Sequence, residues 1–155
     1  VGKITYARAT LADAAEMEGC LRAADIAELE AAGLEVNGSV VTSVRVSLWA
    51  VTARVDGAMV CVFGVAPLAG SLLADTGVPW MLGSNLVRRH HWSLIKESRH
   101  YIAAMNEQFD TLLNYVHTEN VESVRWLKRM GFTLDEAKPH GPSGALFHRF
   151  EVKHV

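Results

Sequence analysis

Residues 112–132 have the sequence LLNYVHTENVESVRWLKRMGF. Its first part, residues 112–117, is a short apolar and aromatic run of strand character. Asn120 then stands before a segment, residues 121–130, whose apolar residues recur at helical spacing, and Gly131 supplies a left-handed stop. A strand, a tight connection and a glycine-ended helix follow one another with no spare residues.

Upstream, Trp92, Ile95, Ile102, Met105 and Phe109 fall at intervals of three, seven, three and four, which predicts a long amphipathic helix over residues 87–109. Earlier still, VRVSLWAVTARV (residues 44–55) and AMVCVFGV (58–65) flank Asp56-Gly57, the strongest short-range signal of an antiparallel hairpin. A short strand is expected at residues 80–82 and another at 4–7. Between the first strand and the hairpin, Thr10 is placed to cap a helix that carries Asp13 in its first turn. Asp25 and Glu28 stand at capping-box spacing ahead of AELEAAG, with Gly33 as its stop. Residues 35–43 read as a loop or half-strand. Downstream, the loop PHGPSG (139–144) precedes a last strand at residues 146–152. The order is β-αα-βββ-α-β-α-β, an α/β chain with a mixed sheet covered by helices, and the helix between the third hairpin-region strand and Leu112 implies a parallel crossover.

The 155 residues suit a single domain over 1–155, and 50% hydrophobic with 21% charged residues is a globular rather than a disordered composition. A net charge of -2 provides no general attraction to nucleic acid or membrane. Cys20 and Cys61 share no disulfide or zinc spacing. The start, VGKITYARAT, lacks the apolar core of a signal peptide. The uncharged residues 58–74 are interrupted by Gly64, Pro67 and Gly70 and read as a buried strand and a turn rather than a membrane span. His90 and His91 are adjacent and so lie on different helix faces, which leaves a metal site unsupported.

Asn120, Ser123, Val124 and Gly131-Phe132, with the strand before them, resemble the last helix of the GNAT acetyltransferase fold, and the element order agrees over nearly the whole chain. The run FDTLLNYV, the later Asn120 and RWLKRMGF, within residues 109–132, is also similar to the GNAT-like internal virion proteins of short-tailed phages. The first resemblance implies acetyl-CoA as cofactor, held in a V-shaped opening between the strand at Trp80, Met81 and Leu82 and the strand at Tyr115. The cofactor turn of such enzymes is rich in glycine; here it reads SNLVRRHHWS, so Arg88 and Arg89 are either phosphate ligands or a solvated helix start. Asn120, with Ser123 beside it, either bonds the pantetheine arm or caps its helix. The tyrosine that family members often use as proton donor is replaced by Leu127, which leaves Tyr115 or a water as substitute, and His117 is the candidate base with Glu119 next to it. Asp13, Glu16, Glu18, Glu28 and Glu30 read as a solvated face of the two early helices or, since the GNAT resemblance sets these helices at the acceptor side, as an attraction for a cationic amine.

Two functions follow as expectations. The degenerate turn and Leu127 favour a phage or prophage virion or assembly protein, with other virion proteins as partners and the host cytoplasm and virion as its location. The alternative is an acetyl-CoA-dependent N-acetyltransferase acting on a small amine or peptide acceptor.

Overall fold

In the computed structural model, which describes residues 2–68 and 75–154, strand β2 (Trp49–Val55) turns into β3 (Ala58–Pro67) through Asp56 and Gly57. Their φ values of 48° and 79° are those of the two-residue turn whose backbone twist matches a hairpin. β3 takes up the first part of the uncharged stretch; the turn expected after it, at 69–74, lies outside the described residues.

β2 pairs on its other edge with β1 (Ile4–Arg8), and β3 pairs antiparallel with β4 (Thr76–Gly83). β5 (Thr111–His117) lies parallel to β4 and antiparallel to β8 (Leu146–Lys153). Two-residue strands β6 (Thr133–Leu134) and β7 (Lys138–Pro139) add to β8, giving the order β1-β2-β3-β4-β5-β8-β6 with β7 on β8. Neither small strand was foreseen in the sequence, since two residues carry no period.

Helices α1 (Leu11–Glu18) and α2 (Ala23–Ala31) follow β1 as expected, but α3 (Ser39–Val46) stands where a loop and the first part of a strand were read. The order is corrected to three helices before β2, and β2 begins at Trp49 rather than at Val44. The cause is a tertiary cap. The Glu18 carboxylate accepts hydrogen bonds from the backbone N–H groups of Gly38, Val40 and Val41 at 3.0, 3.1 and 3.0 Å, which satisfies the helix start and outweighs the β-branched composition of SVVTSVRV. Val40 then packs with Ala14, Met17, Met59, Val62 and Leu82 on one face of the sheet.

The other face carries α4 (Leu86–Arg89), α5 (His91–Gln108) and α6 (Val121–Arg129). The long helix expected over 87–109 is thus broken at His90, whose φ of -111° and ψ of 18° leave the helical region. Ile95 and Met105 are buried on it, whereas Trp92 is 63% exposed, with the Arg129 guanidinium 4.7 Å from its ring centroid. Among the described residues, no helix is long and apolar enough to cross a membrane.

Thr10 caps α1 as read: its Oγ1 accepts from the Asp13 N–H at 3.0 Å, and Asp13 accepts from the Thr10 N–H at 3.0 Å. Thr10→Ala is expected to cost about 1 kcal/mol, a fall of about 2 to 4 °C in Tm measured by thermal melting. The second expected box does not form. Arg22 is the N-cap of α2, and Asp25 and Glu28 turn inward.

Candidate functional site

Among the described residues, β4 and β5 pair only at Thr76 with Thr111 and Gly77 with Leu112; beyond Gly77 and Leu112 the sheet is split. Asn114 bridges the narrow end, its Nδ2 donating to the Pro79 carbonyl at 2.8 Å and its Oδ1 accepting from the Tyr115 N–H at 2.8 Å. α2 bridges the wide end. Gly83 donates its N–H to Asp25 Oδ2 at 2.9 Å and accepts the Arg22 N–H at 2.8 Å, while the His117 N–H donates to Glu28 Oε1 at 2.8 Å.

Between these bridges stands Met81. Strand alternation turns its N–H and C=O the same way as those of Gly83, into the split, and no loop or side chain among the described residues bonds either. The window opens into a cavity of about 430 Å³ that passes from one face of the sheet to the other. On the α5 and α6 side it is lined by Phe63, Leu94, Tyr101, Trp126 and Leu127; on the α2 and α3 side by Glu28, Leu34, Val46, Trp80, Tyr115 and His140. The loop at 139–144 forms part of that second mouth because Ser143 Oγ donates to the Ala31 carbonyl at 2.8 Å and Pro142 sits against Gly33.

A buried polar network holds the wide end. Arg22 makes a two-pronged pair with Asp25, Nε to Oδ2 and Nη2 to Oδ1, both at 2.9 Å. Arg22 Nη2 also donates to Ser123 Oγ at 2.8 Å and Asn120 Oδ1 at 3.4 Å, and Asn120 Nδ2 donates to Glu28 Oε1 at 3.3 Å. Outside it, Arg88 Nε donates to Glu122 Oε1 at 2.7 Å, with Arg22 Nη1 3.7 Å from Glu122 Oε2. Burial pushes the Glu28 carboxyl above its ordinary range, partly offset by the His117 N–H and the Asn120 amide. Burial also pushes the Cys61 thiol up to about 12, so it is no nucleophile at neutral pH.

Of the residues singled out in the sequence, Trp80, Met81, Leu82, Tyr115 and Ser123 line the cavity. The Tyr115 ring is stacked on His140 with centroids 3.8 Å apart. The ring of His117 does not line it: it packs 5.1 Å from the Phe147 ring with Nε2 3.8 Å from Glu119, and only its backbone N–H reaches the window. Asn120 makes no side-chain cap of α6, because its amide is drawn into the Arg22 network. Arg88 and Asn120 meet at a second hollow, of about 580 Å³, beside the wide end; Arg89 is exposed and makes no ion pair among the described residues.

Sequence reasoning missed Arg22 and Asn114, and it read Asp25 and Glu28 as a capping box, with Glu28 also in an acidic face, rather than as side chains turned into the split. Glu16 and Glu30 are exposed as expected, Glu16 pairing with Arg54 at the surface, whereas Asp13 is half-buried against Arg54, Glu18 caps α3 and Glu28 lines the cavity. The available signal was Arg22-x-x-Asp25-x-x-Glu28, whose spacing of three sets all three side chains on one helical face.

No protein-family model matches the sequence, and no curated protein matches it. Solved structures do match its shape. The acetyltransferase of GNAT family from Streptococcus pneumoniae is 12% identical with a TM-score of 0.66, over 99% of this chain and 100% of that one. The GNAT domain of S. lividans PAT is 14% identical with a TM-score of 0.72, over 99% and 92%. AAC(6')-Ib in complex with ribostamycin and coenzyme A is 15% identical with a TM-score of 0.71, over 98% and 94%.

Proposed function

With the fold of the GNAT acetyltransferases as the premise, we propose that this chain is an acetyl-CoA-dependent N-acetyltransferase acting on an amine. The window opposite Met81 carries this reading: a strand edge left open between two bridged ends offers one N–H and one C=O to an extended amide-bearing arm. Trp80, Met81 and Leu82 would hold the arm along β4, and Asn120 and Ser123 would approach it from α6. When bound, acetyl-CoA supplies an acyl carbon activated as a thioester.

The phosphate end is built differently from a glycine turn. Ser84 Oγ donates to the Met59 carbonyl at 2.7 Å and accepts from the Leu86 N–H at 3.2 Å, and a Cβ on Gly83 would run into Val87. Phosphate binding there falls to the side chains of Arg88 and Arg89, which act as charges rather than as a backbone cradle. Tyr115, the substitute for the tyrosine absent at Leu127, lines the α2 and α3 mouth, so it would reach a departing thiolate from the face of the sheet opposite Leu127. The amine acceptor enters from the opposite mouth, a surface rather than a bound partner.

Thermal melting with acetyl-CoA tests this. A hundredfold excess over Kd stabilises by about 2.7 kcal/mol, a rise of about 5 to 11 °C for a chain of this size. The second reading, a phage or prophage assembly protein that has kept the fold, rests on the sequence resemblance within residues 109–132 alone. It expects an unmoved Tm at millimolar acetyl-CoA and binding to other virion proteins instead.

A further inference from the structure

We infer that the outer surface of α5 and α6 is a binding face for a single-stranded polynucleotide, which lays its phosphates along a row of unpaired cations and stacks a base on Trp92. The net charge of -2 hides an uneven distribution. On α5, Trp92, Lys96 and Arg99 stand four and three residues apart and so share one stripe of the helix. On α6, Val121, Arg125, Lys128 and Arg129 repeat the spacing. All of these side chains are exposed, Trp92 at 63%. Arg129 joins the two stripes, its guanidinium lying 4.7 Å from the Trp92 ring centroid. Neither stripe lines the cavity or the hollow beside it, so this surface is separate from the window and from Arg88.

Lys96 with Arg99, and Arg125 with Lys128 and Arg129, are like charges three and four residues apart, a spacing that destabilises a helix. Among the described residues none of the five has an ion-pair partner. The acids of these helices stand elsewhere: Glu122 holds Arg88, Glu97 lines the cavity and Glu107 lies in the last turn of α5. A chain of phosphates relieves this repulsion and releases its own counterions in doing so. Three other occupants fit less well. The large apolar side chains exposed on the two helices are Trp92 and Val121, too few to enter a bilayer. A second copy brings no matching acidic row, since Asp13 and Glu16 hold Arg54 and Glu18 caps α3. Both helices lie flat on the core through Leu94, Ile95, Met105 and Trp126, so neither projects into a duplex groove, whereas an exposed indole beside a cation row suits unpaired bases.

The probe is fluorescently labelled oligo(dT) of about twelve nucleotides, followed by anisotropy. The proteins are wild type, Trp92→Ala, the double variant Lys96→Gln with Arg99→Gln, and the double variant Arg125→Gln with Lys128→Gln. Five phosphate contacts give a slope of about -3.5 in log K against log salt, so wild type should lose about 10²-fold in affinity between about 50 and 200 mM salt. Each double variant should flatten that slope by about 1.4. Because these side chains are exposed and unpaired, Tm should stay within about 2 °C of wild type and the response to acetyl-CoA should be unchanged. Trp92→Ala should weaken binding by about fivefold to a hundredfold at an unchanged slope. A wild type that does not bind at low salt, or double variants with the wild-type slope, overturns the inference. So does a duplex of the same length bound as tightly as the single strand, or binding to phosphatidylserine vesicles in place of the oligonucleotide. Double variants that lose a wild-type acetyl-CoA shift assign the row to the cofactor's phosphates, and variants that dissolve a wild-type oligomer assign it to a second copy; either result also overturns it.

Discussion

Arg22→Ala should lower the melting temperature by about 6 to 20 °C, because breaking a buried ion pair costs about 3 to 5 kcal/mol and each kcal/mol is worth about 2 to 4 °C in a chain of this size. Arg22 and Asp25 are 7% and 1% exposed, so alanine would strand the Asp25 carboxylate with only the Gly83 N–H to stabilise it. The same change releases Ser123 and Asn120 and removes the guanidinium 5.7 Å from the Trp126 ring centroid. Arg22→Lys should rescue little, since an ammonium cannot reproduce the two-pronged contact. Thermal melting of the three proteins decides it. A loss below about 1 kcal/mol for Arg22→Ala would mean that water replaces the pair and that the wide end of the split is solvated.

The second large effect belongs to Leu112. It is fully buried, it packs with Val65, Met105, Phe109, Val116, Phe132 and Phe150, and it sits opposite Gly77 in one of the two residue pairs that join β4 to β5. Leu112→Ala removes core contacts and leaves a cavity, at a cost of about 2 to 5 kcal/mol. Gly77 cannot fill the space: a Cβ there would meet the Phe109 ring at 2.6 Å, so that position has no room to grow. Denaturant unfolding should show a lower midpoint with an unchanged slope, whereas a changed slope would mean that the two halves of the sheet no longer unfold together.

The elements were legible wherever local chemistry and tertiary structure agree. Asp56-Gly57 made its hairpin, Thr10 and Asp13 made their box, Gly33 follows α2 with φ 76°, and the strand before Asn120 and the helix after it lie where their pattern put them. Legibility failed where a distant side chain decides. The run 39–46 is helical because Glu18, more than twenty positions back, takes its first N–H groups. On its strand side the site was read from the family resemblance, and Trp80, Met81 and Tyr115 line the cavity because they flank the split between β4 and β5. It was illegible on its helix side. Asp25 and Glu28 look like any acidic helix face, and only the docking of α2 across the split turns them inward and gives Arg22 to Asn120.

The split itself has a mechanical meaning. A hydrogen-bonded sheet is a single plate, but with two rungs of backbone pairing between β4 and β5 this one is two plates meeting along a short seam, clasped by side chains from α2 and by Asn114. Whatever lies in the window adds rungs to an incomplete ladder, so a guest there acts as a strut: it stiffens the joint between the plates, and through them sets the spacing of the helices on both faces.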